Sequence, residues 1–273
     1  MKERWFLMLV VLLAALAASV AWAEDISELK QKAESGDAEA QDQLGRCYAT
    51  GEGVEQDLTQ AFQWHHKAAE QGLPSAQSSV GLCYQNGEGV NKDLAKAAEW
   101  FQKAAEQGQT LAQYNLGCYY RDGEVIERDL VKAAEWFQKA AEQGLAEAQH
   151  NLGLCYEKGE GVEKDPLKAV EWYRKAAEQG LAEAQFAMGG CYWYGIGVEK
   201  DQAQAMEWLR AAAKQGHWWA NEFLWHLTAK KLMIWGSVAF VLVLILSGIW
   251  YFHARSRKAG RKNRLEMGHM PPT

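Results

Sequence analysis

The residues whose types and spacing could support chemistry fall into three groups: glycine-rich loops, adjacent histidines and regularly spaced cysteines. The loops read Gly-Glu-Gly-Val from Gly51, Gly87 and Gly159. A phosphate-binding loop would need a third glycine or a Gly-Lys-Ser/Thr sequence, directly after a strand. The chain has neither continuation, so these loops are predicted to be turns between helices.

His65 and His66 are neighbours on a predicted helix, so their side chains point about 100° apart. A zinc-binding helix face would need a second His or Cys four residues away, and the sequence has none there. We interpret both histidines as solvent-exposed and predict no metal site. No nucleophile stands beside a recognisable base and orienting residue, so no catalytic residue, no cofactor and no enzymatic activity are predicted.

Five cysteines lie at positions 47, 83, 118, 155 and 191, close to one in every 36 residues. Helices packed side by side lie about 8 to 10 Å apart, whereas the Cα atoms of a disulfide lie within about 7 Å. We therefore expect small buried thiols rather than disulfides. An odd count in an exported chain would otherwise suggest a free or intermolecular thiol.

A fixed internal period defines the elements that position these residues. Four residue types recur every 36 residues in five copies between Asp37 and Gly216. They are Gly45, Gly81, Gly117, Gly153 and Gly189; Tyr48, Tyr84, Tyr120, Tyr156 and Tyr192; Asp57, Asp93, Asp129, Asp165 and Asp201; Trp64, Trp100, Trp136, Trp172 and Trp208. Such self-similarity predicts a solenoid, in which each unit buries its apolar face on its neighbours.

Within a copy, the apolar spacing predicts two helices of about three turns each. Asp57 is placed to cap the start of the second helix, and Gly72 to end it in a left-handed conformation. Small residues such as Gly45 let the two helices approach, and Tyr48 and Trp64 are expected to fill the remaining core volume.

This pattern resembles the Sel-one-like repeat family, a relative of the tetratricopeptide repeat. The fourth copy quotes it in full, at Gly153, Tyr156, Gly159, Gly161, Val162, Asp165, Ala169, Trp172, Lys175, Ala176, Ala177 and Gly180. The resemblance implies an all-α, right-handed α-solenoid of five helix-turn-helix repeats that serves as an adaptor for other proteins. The third copy departs from the pattern, because Cys118 is one position early and Val125 replaces a loop glycine. If that glycine has a positive φ, Val125 would be strained.

The two ends of the chain predict export and membrane anchoring. Residues 1–23 combine Lys2 and Arg4, an apolar run and the small-x-small sequence that ends at Ala23, which is typical of a signal peptide; an uncleaved anchor is the alternative. Leu232 to Phe252 is free of charge over 21 residues, long enough for a transmembrane helix. The positive-inside rule assigns the basic tail, residues 253–273, to the cytoplasm. The basic residues of this tail are expected to contact anionic lipid.

The remaining segments complete the predicted organisation. Residues 24–36 are interpreted as an N-terminal capping helix, 37–216 as five repeats and 217–231 as a partial sixth repeat close to the membrane. Three tryptophans in that last segment either close the solenoid or lie at the membrane interface: Trp218, Trp219 and Trp225. Subtracting the +1 of residues 1–23 and the +5 of the tail from the total of −6 leaves −12 for the exported region. Nucleic acid is therefore not expected as a partner.

Residues that differ between copies are the candidates for function. Positions equivalent to 42, 46 and 49 point away from the core face of the first helix, and in solenoids of this kind that side lines the concave surface. A protein or peptide partner is expected there because several of these positions are apolar. The candidate binding residues are Leu82, Tyr114, Arg121, His150, Leu154, Phe186 and Trp193.

The function these features predict is a single-pass membrane scaffold whose exported solenoid binds a protein partner. The absence of an Asn-x-Ser/Thr sequon favours a bacterial periplasm over the endoplasmic reticulum. A quality-control or degradation adaptor of the endoplasmic reticulum membrane is the alternative. An enzyme acting on cell-wall material is less favoured, because the paired cysteines of the relatives that suggest it are missing.

Overall fold

The computed structural model describes residues 26–228. All regular secondary structure in this range is α-helical. The chain divides into two compact units between Trp208 and Leu209, and each is described by itself.

Ten helices of 13 residues each follow a shorter first helix and precede a last one, all within residues 26–228. They are α1 26–34, α2 Ala38–Thr50, α3 Leu58–Glu70, α4 Pro74–Asn86, α5 Leu94–Glu106, α6 Thr110–Asp122, α7 Leu130–Glu142, α8 Ala146–Lys158, α9 Pro166–Glu178, α10 Ala182–Tyr194, α11 Gln202–Lys214 and α12 218–228. Consecutive helices from α2 to α10 pack against each other. This tandem stack confirms the predicted α-solenoid class.

The predicted helix boundaries are confirmed at both ends of the second helices. The carboxylate of Asp57 accepts hydrogen bonds from the backbone N–H groups of Thr59 and Gln60, at 2.9 and 3.0 Å. Such a cap satisfies donors that the first turn of a helix leaves without a partner. Gly72 follows the helix with a φ of +90°, and its four equivalents also have positive φ.

The core lies at the joints between successive repeats. One cluster joins α7 to α8 and another joins α9 to α10, and alanine is the commonest residue in both. The recurring glycine of the first helix faces a buried ring of the second. A Cβ added at Gly117 would lie 2.8 Å from the Phe137 ring, and one at Gly153 would lie 2.6 Å from the Tyr173 ring. The glycine is therefore needed for the close approach of the two helices.

The recurring tryptophan is not the residue that fills this core. Phe137 and Tyr173 each have 0% of their surface exposed, whereas Trp136 and Trp172, directly before them, are half-buried. The prediction that Trp64 fills core volume holds only at the core edge, because Trp64 packs against the core of the first copy but is half-buried. Neighbouring helical side chains point about 100° apart, so only one of the two rings enters the core. The Trp136 indole packs at the edge of the core, with Lys139 Nζ 3.7 Å from its ring centroid.

A buried glutamine joins each repeat to the previous one. Gln149, which is 5% exposed, donates from Nε2 to the carbonyl of Ala141 at 3.2 Å. Its Oε1 accepts a hydrogen bond of 2.8 Å from Gln179. Gln77 and Gln113 make the same pair of contacts in the second and third copies. The glutamine side chain thus provides a hydrogen-bond donor for a carbonyl at the helix end of the preceding repeat. It also fixes the distance between the two repeats.

The loop of the third copy shows how the chain accommodates Val125. A Cβ at Gly89 or Gly161 would lie 1.9 Å from the carbonyl oxygen of Leu58 or Leu130, respectively, and both glycines have positive φ. Within residues 26–228 every positive φ belongs to a glycine, so Val125 has a different backbone conformation. The predicted strain at Val125 is therefore wrong, because the loop avoids the left-handed conformation at this residue.

The ends of the described range are single helices. In α1, Ala33 is buried against Ala40 and Leu44. In the second unit, α12 follows Gly216, and His217 Nδ1 accepts the backbone N–H of Ala220 at 3.2 Å. None of the helices within residues 26–228 has the length and apolar character needed to span a bilayer. The predicted signal peptide, transmembrane helix and basic tail lie outside the described residues.

Candidate protein-interaction surface

The predicted binding residues all lie on first helices, at positions equivalent to 42, 46 and 49 of each copy, which we call the first-helix stripe. They are Leu82 on α4, Tyr114 and Arg121 on α6, His150 and Leu154 on α8, and Phe186 and Trp193 on α10. All seven are half-buried. Their role in binding stays a prediction, since the structure holds no partner.

The apolar members of the stripe have structural contacts that the sequence analysis did not foresee. Leu82 packs at the edge of the core between α5 and α6, and Leu154 at the edge of the core between α9 and α10. The ring centroid of Tyr114 lies 6.0 Å from that of Phe137, and the ring centroid of His150 lies 5.5 Å from that of Tyr173. These side chains therefore offer one edge to solvent and rest the other on the core.

Polar contacts link the stripes of successive repeats. Arg121 Nη1 donates to the Asn151 side-chain oxygen of the next repeat at 2.9 Å. Tyr119 donates from its hydroxyl to Gln85 Oε1 of the preceding repeat at 3.1 Å. Arg121 also pairs with Asp122 at 2.8 Å. Through Arg121, the first-helix surfaces of the third and fourth repeats are therefore in direct contact.

The first copy has a buried hydrogen-bonded pair at this position of the stripe. His65 is 4% exposed and Asp42 is 3% exposed, and His65 Nδ1 lies 2.7 Å from Asp42 Oδ1. The prediction that His65 is solvent-exposed is therefore wrong. His65 occupies the position of Phe101 and Phe137 in later copies, where the fold buries the side chain whatever its chemistry. His66, on the neighbouring face, is half-buried.

The Asp42 carboxylate is stabilised from three sides. Besides His65, it accepts hydrogen bonds from Arg46 Nη2 at 2.8 Å and Ser75 Oγ at 2.9 Å. Burial by itself would raise the pKa of Asp42, but the hydrogen bond and charge of His65, the hydrogen bond from Ser75 and the charge of Arg46 together lower it. Asp42 is thus an ionised carboxylate at neutral pH. Its position belongs to the stripe, but its side chain is buried.

Two polar atoms near the stripe are buried without a hydrogen-bond partner, Ser78 Oγ on α4 and Asn115 Nδ2 on α6. A buried donor without an acceptor costs about 1 to 3 kcal/mol. Asn115 occupies the same helical position as Asn151, which accepts a hydrogen bond from Arg121. The Asn115 amide donor is buried and unpaired, so it is a local cost of the fold and not a contact for a ligand.

The cysteines are free thiols, as predicted. Burial raises the pKa of Cys83 and Cys155 to about 11 and that of Cys191 to about 12. Cys47 and Cys118 are half-buried, and burial also raises their pKa. Because the thiolate is the reactive form, these residues are inert small side chains at neutral pH. Within residues 26–228 no group of three His, Cys, Asp or Glu side chains is arranged to hold a metal ion.

Two features of this surface escaped the sequence analysis. The buried glutamine was a visible signal, because Ala-Gln and Gln-Gly recur in step with the repeat in all five copies. The unpaired Asn115 donor left no such signal, since its burial depends on the fit of the next repeat. The stack of helical hairpins, with constant joints and a variable first-helix stripe, defines a repeat protein of the solenoid class.

The chain belongs to the Sel1 repeat family, whose model matches residues 38–73, 74–109, 110–145, 146–181 and 182–217. Proteins of this family are protein-interaction scaffolds and typically non-catalytic.

Two solved structures support this assignment. The Sel1 repeat protein from Oxalobacter formigenes superposes with a TM-score of 0.69 at 35% identity, covering 76% of this chain and 82% of that one. A protective antigen of uropathogenic Escherichia coli with the same repeat fold gives 0.70 at 38% identity, covering 77% of this chain and 45% of that one.

A short match also exists to the secretory immunoglobulin A-binding protein EsiB of Escherichia coli, 50% identical over 44 residues. That match covers 16% of this chain and 9% of EsiB. The chain thus covers less than half the length of the antigen and a small part of EsiB.

Proposed function

We propose that this protein is a single-pass membrane scaffold whose exported repeats bind an extended segment of a protein partner along the first-helix stripe. The observation that carries the proposal is the contrast between the positions of one helix. Leu44, Gly45 and Tyr48 belong to positions that hardly change between copies, whereas the position of Asp42 holds a different residue in every copy. The other residues at that position are Ser78, Tyr114, His150 and Phe186.

The chemistry of the stripe indicates the kind of partner segment. Leu82, Tyr114 and Leu154 each present a half-buried apolar or aromatic surface that suits apolar side chains of the same segment. Arg121 adds a positive charge in the middle of the stripe. The expected ligand is therefore an extended, partly apolar peptide with a carboxylate side chain opposite Arg121.

The membrane anchor and the exported topology rest on the sequence of the two ends. Residues 1–23 have the pattern of a signal peptide, and residues 232–252 have that of a transmembrane helix. The basic tail then lies in the cytoplasm and contacts anionic lipid. Relatives in bacteria and the absence of a glycosylation sequon favour the periplasm. The match to a protein named for binding secretory immunoglobulin A supports protein binding, though not of that ligand here. Neither nucleic acid nor a substrate for catalysis is part of the proposal.

Site-specific photocrosslinking in native membranes tests the binding surface. A benzoylphenylalanine replaces one aromatic residue of the full chain, Tyr114 or Trp193 in the stripe, or Tyr194 as the matched control. Tyr194 directly follows Trp193 and is 66% exposed, so it is accessible but lies outside the stripe. The stripe positions should give a partner adduct of defined mass, and the control should give none.

A second variant tests the proposed chemistry. Arg121→Gln removes the positive charge proposed to face a carboxylate of the partner and keeps an amide that can donate to Asn151, so helicity should be unchanged while the adduct at position 114 becomes weaker. Equal adducts from Tyr114 and Tyr194, or an unchanged adduct in the Arg121 variant, would contradict binding along this stripe.

A further inference from the structure

Three large aromatic side chains of the second unit face outward from α12, the helix of residues 218–228. Trp218, Trp219 and Trp225 are each 61% exposed. Tryptophan is a large apolar side chain and is usually buried to a high degree. Three exposed indoles within eight residues therefore form an aromatic surface of the kind that marks a contact with another molecule or with a membrane.

The helical positions of these residues show that α12 exposes its large apolar side chains on one side and buries a small residue on the other. Trp218 and Trp225 are seven residues apart, so they lie on nearly the same side of the helix. Ala220, on the opposite side, is 0% exposed. The helix therefore buries a small residue and presents its largest apolar groups outward.

Polar contacts separate the indoles without covering them. Glu222, one turn after Trp218, pairs with His226 Nε2 at 3.0 Å. The rings of Trp218 and Trp219 contact each other edge to face, with centroids 4.4 Å apart. A surface that mixes indole rings with charged groups matches the interface between water and hydrocarbon, where tryptophan is enriched because its body is apolar and its N–H is polar.

We infer that α12 lies against the lipid headgroup region, with Trp218, Trp219 and Trp225 as its anchoring residues. The position of the helix in the chain identifies lipid as the occupant, because the uncharged stretch of 21 residues begins at Leu232, four positions after Thr228, the last residue that the structure describes. This inference rests on the proposed membrane anchor and deepens it. It adds that the repeat region meets the bilayer through a defined helix face rather than through a free linker.

The test uses the full chain in lipid nanodiscs that contain a phospholipid with a photoactivatable diazirine near the top of its acyl chain. After irradiation, mass spectrometry maps the lipid adducts on proteolytic peptides. Adducts are expected on the peptide with residues 218–225 and on residues 232–252, but not on the peptide with Leu167, a control side chain that is 67% exposed on α9. Adducts on 232–252 alone would overturn the inference and leave the membrane anchor standing. No adduct on either segment would overturn both.

A pair of variants assigns the contact to the indoles. Trp218→Ser combined with Trp225→Ser should reduce the α12 adduct to background and leave the adduct on 232–252 unchanged. Val131→Ser combined with Leu167→Ser removes two exposed apolar residues of the first unit and should change neither adduct. An α12 adduct that persists in the double tryptophan variant would overturn the assignment of these residues as anchors.

Discussion

Replacing His65 by Phe should destabilise the first repeat, although it installs the residue that the second and third copies carry at this position. The ring itself fits, because Gly45 faces His65 as Gly81 faces Phe101. The cost arises at Asp42, whose carboxylate is 3% exposed and would lose its hydrogen bond to His65.

The magnitude follows from the partners that remain. Removing one partner of a buried ion pair costs about 3 to 5 kcal/mol when the charge is left uncompensated. Asp42 keeps Arg46 at 2.8 Å and Ser75 at 2.9 Å, so the lower cost of a single lost hydrogen bond applies, about 1 to 3 kcal/mol. Asp42→Ser combined with His65→Phe recreates the Ser78 and Phe101 pair of the second copy. The double variant should regain part of the loss, because the serine hydroxyl, like Ser78 Oγ, is buried without a hydrogen-bond partner.

Native-state hydrogen exchange of the full chain, resolved by mass spectrometry, measures this loss locally. Amides of α2 and α3 should exchange about 5 to 150 times faster in the His65→Phe variant, the factor that corresponds to about 1 to 3 kcal/mol. Amides of α8 and α9 serve as the internal control and should not change. The reasoning is refuted if the double variant exchanges as fast as the single variant, because the loss would then come from the ring and not from the carboxylate.

The same pair predicts a response to acid. The pKa of Asp42 is lowered in the folded state, so its contribution to stability is present above the unfolded carboxyl value of about 3.9 and is lost as the pH falls through the lower folded value. Exchange in α2 and α3 should therefore accelerate more steeply in acid in the natural chain than in the Asp42→Ser, His65→Phe variant.

Three further substitutions or reactions test the packing of the repeats. Gly153→Ala, which forces a Cβ to 2.6 Å from the Tyr173 ring, should destabilise the fourth repeat by about 1 to 3 kcal/mol in thermal unfolding. Gly190→Ala is its control, since nothing lies within 4 Å and alanine is the better helix former by about 1 kcal/mol. Gly161→Val should lower the melting temperature more than Gly153→Ala, because its Cβ would meet the Leu130 carbonyl at 1.9 Å and its φ is +75°. Alkylation followed by mass spectrometry should modify Cys47 faster than the buried thiols of Cys83, Cys155 and Cys191, and equal rates would contradict the inert role assigned to them.

The sequence was sufficient to predict the helical repeat, because the period of 36 residues and the caps are local signals. Asp57 and Gly72 mark the ends of a helix without reference to the rest of the fold. The choice between Trp64 and His65 for the core was not local. Trp64 and His65 both stand at helical spacing from Ala61 and Ala68, so the pattern of one helix does not decide which ring is buried. The close approach of Gly45 on the other helix to the His65 ring decides it.

The sequence was sufficient to predict which side of the first helix carries the candidate surface, but not how deeply its side chains are buried. The geometry of one helix places Leu82 and Leu154 on a different side from the core positions that are equivalent to Leu44. The extent to which the next repeat covers them depends on the distance between repeats, which is fixed by contacts such as that of Gln149 with Ala141. That distance is a property of the assembled stack, so the half-buried state of the stripe became visible only in the structure.

The first-helix stripe and the core beneath it are coupled, and this limits how binding can vary between copies. Asp42 is matched by His65 below it, and Tyr114 by Phe137. A charged residue buried at the position of Asp42 needs a polar partner in the core, because an unpaired buried charge is costly. An aromatic stripe residue instead packs on an aromatic core residue. The side chain that each copy presents on the proposed binding surface is therefore set by a pair of positions on two helices. Exchanging the stripe residue alone is expected to lower stability.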